Sequence, residues 1–268
     1  MSRCCDAPDD CILTLDSVQD ESSDAAHLAL RDIHLTIEAG EKIAICGRTG
    51  SGKSSLVALL LKLLDPTPDT AANGTIDDTQ LDRINRTELR QRLIAVPQEA
   101  VFLPEGSSFR ANLDPSEVST ADECREVLMA VNLWNFVQER GGQDAAMGAN
   151  TLSAGQRQLM SLGRALVRRR ARARNLGMGG GGSEGGILLL DEVSSSVDHD
   201  TERVMQDIIR FEFRGYTVIA VSHRLDMIMD FDRVVVMDKG EIVEVGSPMV
   251  LAAEAGTRFG ELVKAGAK

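Results

Sequence analysis

The segment Gly47-Arg48-Thr49-Gly50-Ser51-Gly52-Lys53-Ser54-Ser55 follows a short apolar run, Lys42 to Cys46, and leads into an apolar stretch. It fits G-x-x-x-x-G-K-[ST] in the context that gives this pattern meaning, a buried strand before it and a helix after it. Glycines at 47, 50 and 52 let the backbone turn its N–H groups inward around a polyphosphate, and the helix start near Lys53 adds the positive end of its dipole. The Lys53 ammonium then reaches the β- and γ-phosphates, and the Ser54 hydroxyl is placed for Mg²⁺. The plainer alternative is a Gly/Ser loop that only joins a strand to a helix.

Composition narrows the chemistry. With 268 residues the chain can bury a sizeable core. A net charge of -12 and a pI near 4.9 argue against a broad nucleic-acid or anionic-lipid footprint, so phosphate capture rests on local dipoles and a few cations. The cysteines Cys4, Cys5, Cys11, Cys46 and Cys124 are odd in number and lack paired metal-ligand spacing, which favours reduced thiols. Met1 to Asp10 is polar and acidic and shows no secretory pattern. The longest apolar stretch, Leu56 to Leu64, is interrupted by Lys62 and is too short to span a bilayer. A chain soluble by itself is expected.

Strand signals fall at Ile12 to Leu15 and Leu28 to Ile37, around an acidic, Ser-rich turn at Asp20 to Asp24. A helix from Ser54 to Leu64 is expected to stop at Asp65-Pro66-Thr67-Pro68, because proline breaks the hydrogen-bond ladder. A small strand is expected at Gly74 to Asp78, then a short helix N-capped by Thr87, then a strand Leu93 to Val96 entering Pro97-Gln98. Between Ala121 and Arg170 the apolar spacing turns helical. Strands return at Ile187 to Leu190, Thr217 to Val221, Val234 to Met237 and Glu241 to Val245, with an amphipathic helix between Asp200 and Phe213. The Arg168 to Gly186 stretch, an arginine cluster running into Met178-Gly-Gly-Gly-Gly-Ser183, reads as a flexible surface insertion.

The second chemical element is Ile187-Leu-Leu-Leu-Asp191-Glu192. A buried strand ending in Asp191 delivers a carboxylate beside phosphates, where it holds Mg²⁺ through water, and Glu192 is next in line to polarise an attacking water. By itself an apolar run before two acids also describes a plain strand end; the phosphate loop upstream gives it weight.

Together these motifs resemble the nucleotide-binding domain of an ATP-binding cassette (ABC) transporter. Leu152-Ser153-Ala154-Gly155-Gln156 is similar to the family's LSGGQ signature, with alanine at the first glycine. Gln98 resembles the Q-loop glutamine, Ser195-Ser196-Val197-Asp198 the D-loop, and His223 the switch histidine that touches the γ-phosphate. Ser108-Phe-Arg-Ala-Asn-Leu-Asp-Pro115 and Ile45-Cys-Gly-Arg-Thr49 look like the second such domain of the C subfamily, the multidrug-resistance-associated exporters. The resemblance implies an α/β fold: a P-loop, RecA-like core with an antiparallel β subdomain and an inserted helical subdomain. It implies a tail over residues 1–11, an ATP-binding domain over 12–268, a helical subdomain at about 105–168 and a Gly-rich insertion at about 171–186.

It further implies ATP and Mg²⁺ as cofactors. Gly47 to Ser55, Ser153, Ala154, Gly155, Gln156 and Asp198 are the implied nucleotide contacts; Ser54, Gln98 and Asp191 serve the metal; and Glu192, His223 and Gln98 serve catalysis. The implied partners are a second, heterologous nucleotide-binding domain and transmembrane domains, placing the chain at the cytoplasmic face of a membrane with no nucleic-acid partner. Two departures stand out. The family stacks adenine on an aromatic upstream of the phosphate loop, whereas the first aromatic here is Phe102, and the Gly-rich stretch interrupts a normally direct run to Asp191. Rival readings are a soluble ABC ATPase acting on nucleic acid or ribosomes, and a non-hydrolysing module or inactive fragment.

Overall fold

The computed structural model describes residues 12–21, 28–65, 74–148, 150–175, 185–193, 197–224 and 227–266. They divide into two compact units. The first draws on the described residues of Met1–Leu93, Ser183–Asp191 and Gly215–Lys268, the second on those of Ile94–Gly182 and Glu192–Arg214.

The first unit holds two sheets. In one, β1 (Leu13–Glu21) lies between β2 (Leu28–Ile37) and β4 (Gly74–Ile76), both antiparallel to it, and β5 (Thr79–Gln80) closes the edge. The register pairs Leu13 with Ile37 and Leu15 with Leu35, stacking apolar residues on a common face. The strand β1 runs past the expected stop at Leu15 because Asp20 and Glu21 still pair with Leu30 and Leu28 across register shifts.

The other sheet orders its strands in this unit as β10 (Glu241–Gly246), β9 (Arg233–Asp238), β3 (Lys42–Gly47), β8 (Thr217–Val221) and β7 (Ile187–Asp191). Strands β9, β3, β8 and β7 run parallel and are almost wholly buried, which is why they read as unbroken apolar runs. At the edge, β10 is antiparallel to β9 and alternates in exposure, as its Glu-Ile-Val-Glu-Val sequence predicts. Ile45 pairs with Val221, and Val221 with Asp191, so β8 and β7 end level with each other and two residues short of the end of β3, and the three release their following loops along one edge. Ligands of open parallel sheets bind outside the carboxyl ends of the strands.

Helix α1 (Lys53–Leu60) is shorter than predicted. It stops in a Schellman turn, not at proline: Lys62 takes φ 53°, its N–H donates to Leu59 O at 3.0 Å, and Leu63 N–H donates to Ala58 O at 2.8 Å. The Lys62 ammonium also donates to Ile84 O at 2.6 Å, which holds a lysine where glycine is usual. Helix α2 (Arg86–Arg92) is capped by Asn85, whose side chain accepts from Glu88 N–H at 2.8 Å, and not by Thr87, which lies within the helix.

The second unit opens with β6 (Leu93–Val96), whose last three residues belong to it, and is otherwise helical. Its helices are α3 (Phe109–Leu113), α4 (Ala121–Ala130), α5 (Trp134–Gln138), α6 (Ala154–Asn175) and α7 (His199–Glu212). Thr120 and Glu123 form a capping box at α4. The arginines from 168 to 174 are helical, contrary to the expected flexible insertion: they continue α6 as good helix formers, and acids meet three of them. Arg169 pairs with Glu212 at 3.4 Å, Arg170 with Glu126 at 3.3 Å, and Arg174 with Glu123. The Gly-rich run from Met178 to Ser183 lies outside the described residues. In the first unit, α8 (Pro248–Ala253) and α9 (Arg258–Gly266) complete the chain, the Glu244 carboxylate accepting from the N–H groups of Arg258 and Phe259.

Candidate functional site

The phosphate loop leaves the buried end of β3 and enters α1 through residues that only glycine satisfies. At Gly47, φ is +151° and an added Cβ would lie 2.4 Å from Met237 O and 2.6 Å from Ser51 Oγ. At Gly52, which caps α1 with φ +101°, it would lie 3.1 Å from Ala29 O and 3.2 Å from Gly240 Cα. The underside of the loop is therefore packed against backbone. Its other side is open: Arg48, Thr49 and Gly50 are exposed, and an added Cβ at Gly50 would meet nothing within 4 Å. Lys53 is 5% exposed, and its ammonium donates to Gly47 O at 3.0 Å and Arg48 O at 3.1 Å, drawing the loop around itself. Ser54 is exposed and Ser55 half-buried at the first turn of α1. A glycine-rich backbone cradle with an ammonium inside it and a helix N-terminus below it matches the donor set that a polyphosphate requires.

Gly240, in the turn between β9 and β10, was not singled out from the sequence. Its N–H donates to Ser51 O at 3.0 Å, its carbonyl accepts from Arg31 N–H at 2.8 Å, and the turn places Lys239 and Gly240 at φ 49° and 84°. It buttresses the loop from beneath. The Lys-Gly pair between two apolar runs was the available signal.

Along the same strand-end edge, the first unit sets Asp191 at the end of β7, half-buried, and His223 just beyond β8, exposed. Ser222, whose hydroxyl donates to Arg224 O and accepts from Arg224 N–H, both at 3.0 Å, folds the backbone tightly around His223. The loop, Asp191 and His223 thus come from adjacent strands in register. Cys46, at the end of β3, has its thiol pushed up to about 12 by burial, against the opposing charge of Lys53, and stays protonated. Cys46 and Cys124 are free and buried.

The second unit carries the remaining predicted residues. Glu192, the residue after Asp191, has φ 48°. A non-glycine residue held in the left-handed region is a strained feature of the kind that concentrates at functional positions. Gln98 is exposed, with its carbonyl bound to the side chain of Gln158. The signature segment has a local physical basis: Ser153 Oγ accepts from Gln156 N–H at 3.2 Å and Gln156 Oε1 accepts from Ser153 N–H at 2.9 Å, a capping box that starts α6. Ala154 occupies the first helical position, where a methyl is accommodated. Gly155 is buried, and an added Cβ would lie 3.0 Å from Thr201 Oγ1, so α6 and α7 meet there.

Asp198 caps α7, its carboxylate accepting from Thr201 N–H and hydroxyl, both at 2.9 Å, and these bonds hold its pKa below the usual range. Ser195 and Ser196 lie outside the described residues. A cavity of about 240 Å³ in this unit is lined by Phe102, Leu103, Met147 and Leu152 among others; none of the predicted site residues lines it. Among the described residues no cluster of three or more His, Cys, Asp or Glu forms a metal cage, and no helix is long and apolar enough to cross a membrane. Of the oxygens expected for Mg²⁺, those of Ser54 and Asp191 lie in the first unit and that of Gln98 in the second.

Comparison with known proteins gives the same picture. Residues 30–171, more than half of the chain, match the family described as ABC transporter. The chain is 65% identical over 250 residues to the ABC-type transporter braE of Annulohypoxylon truncatum, covering 93% of this chain and 17% of that protein. It is 49% identical over 244 residues to an ABC transporter of Gibberella zeae, covering 91% of this chain and 16% of that one. The chain therefore spans about a sixth of the length of these relatives. Among solved structures, a bacterial Atm1-family ABC exporter with ATP bound matches with a TM-score of 0.81 at 26% identity, over 100% of this chain and 45% of that chain.

Proposed function

Because this chain belongs to the ABC transporter family and has the fold of its ATPase domain, we propose that it binds and hydrolyses ATP to power transmembrane export by a larger transporter. The observation that carries this reading is the phosphate loop, packed beneath by β-strand and turn backbone and open above, with Lys53 buried inside it. Loop amides from Gly47 to Ser55 and the Lys53 ammonium hold the phosphates. Ser54, Asp191 and Gln98 would hold Mg²⁺, which would supply neutralisation of phosphate charge. Glu192 orients water and takes its proton, and His223 donates to the γ-phosphate. Most of the rate comes from positioning and charge stabilisation.

The signature residues Ser153, Ala154, Gly155 and Gln156 sit at an α-helix start, the backbone arrangement suited to an anion, and they serve the nucleotide held by a second nucleotide-binding domain. Asp198 communicates with that domain. The Ser108–Pro115 segment supports a second-domain position in a C-subfamily exporter, with a heterologous first domain as the partner. Membrane contact is made through the transmembrane domains, with this chain at the cytoplasmic face. ATP binding closes the two domains and hydrolysis separates them, the stroke that transport uses.

The test is Mg²⁺-dependent ATP hydrolysis by the chain assembled with its partner domains, against Glu192→Gln. Turnover that falls by about two orders of magnitude or more in the variant supports the assigned base; unchanged turnover removes it.

A further inference from the structure

Two side chains of α6 hold the backbone around and after Gln98. Gln158, on the second turn, is 8% exposed and donates through Nε2 to Gln98 O. A carbonyl only accepts, so the amide orientation is fixed. Its Oε1 is thereby left buried with no hydrogen-bond partner among the described residues. Farther along the helix, Arg164 donates to Asn112 O and Val101 O, and its guanidinium lies 4.8 Å from the centre of the Phe102 ring. Leu103 N–H donates to Asn112 Oδ1 at 2.9 Å, so the strip from Gln98 to Leu103 is secured at both ends. The first turn of the same helix carries the Ser153–Gln156 capping box and rests Gly155 against Thr201, which binds Asp198.

A buried amide with one end unsatisfied is an exception in native interiors and calls for an explanation. An apolar side chain of the same length would fill the space without leaving an orphan oxygen. What it would lose is the grip on Gln98.

The geometry points to Gln158 as a positioning residue for Gln98: it pins the backbone carbonyl and leaves the exposed side chain of Gln98 free for the role proposed for it toward Mg²⁺. This rests on the proposed function and deepens it, assigning to Gln158 the placement of the glutamine proposed for the metal.

The experiment is a double-mutant cycle on Mg²⁺-dependent turnover by the assembled protein. Gln158→Met removes donor and orphan acceptor together and keeps the side-chain length. The expected result is a fall in kcat of about tenfold with KM for ATP and Tm nearly unchanged, since the loop that binds phosphate is untouched. In a Gln98→Ala background the same substitution is expected to lower kcat further by less than about twofold, because the side chain it positions is gone. An equal drop in both backgrounds, an undiminished kcat, or a loss that simply follows a lowered Tm overturns the proposal. Should Gln158→Met fail to fold, Gln158→Glu keeps the shape, replaces the donor by an acceptor and carries the same cycle. Absence of turnover in the unsubstituted protein overturns the proposed function, and this proposal with it, before any substitution is read.

Discussion

The hydroxyl of Ser51 offers a sharp test of whether the phosphate loop grips through its backbone or its side chains. Ser51 is 3% exposed and its Oγ has no hydrogen-bond partner among the described residues, although its N–H donates to Arg48 O at 3.1 Å and its carbonyl accepts from Gly240 at 3.0 Å. An orphaned buried hydroxyl costs about 1–3 kcal/mol, which Ser51→Ala relieves without disturbing either backbone bond. In a domain of this size each kcal/mol moves Tm by about 2–4 °C, so the ligand-free variant should melt at least about 2 °C higher. The stabilisation by saturating Mg²⁺-ATP, about 2.7 kcal/mol at a hundredfold excess over Kd, should be the same in both proteins. Differential scanning fluorimetry with and without nucleotide reads both quantities. A lower ligand-free Tm would show that the hydroxyl is satisfied. A diminished ATP increment would make it a ligand contact, and the backbone-cradle argument would fail.

Gly155→Ala should destabilise the protein by about 1–3 kcal/mol through overpacking against Thr201, and Thr201→Ser, which removes the methyl 3.1 Å from the new Cβ but keeps the hydroxyl, should restore part of the loss in chemical denaturation. Asp198 has a folded pKa below its ordinary value, so its capping of α7 is complete above the usual aspartate range and is lost as pH falls toward the folded value. Amide exchange at the start of α7 should accelerate over that acid window in the native protein and show no such step in Asp198→Asn. With its thiol at about 12, Cys46 should resist alkylation at pH 8 in the folded protein and label only on denaturation; rapid native labelling would contradict its burial.

The parallel strands were legible because burial on both faces writes itself as unbroken apolar runs: Thr217–Val221 has the expected limits and β7 differs by one residue. Leu93–Val96 and the antiparallel Leu28–Ile37 also have the expected limits. Helix ends were less legible because they depend on tertiary partners. Lys62, which ends α1 in a left-handed conformation, has its ammonium on Ile84 O, and the arginines of α6 meet Glu123, Glu126 and Glu212 from other helices. Motif spacing singled out Gly47 to Ser55 and Leu152 to Gln156, and local chemistry accounts for the shape of each, a glycine cradle and a capping box. Gly240 and Gln158 escaped notice since each acts through a backbone atom distant in sequence, Ser51 and Gln98, which no local pattern records.

The central claim is that Lys53 and the loop around it hold the phosphates of ATP. Isothermal titration calorimetry of the chain with Mg²⁺-ATP, beside Lys53→Met, tests it most directly. The account predicts a saturable heat that the substitution abolishes; no heat from the unsubstituted chain, or an unchanged isotherm for Lys53→Met, would contradict it.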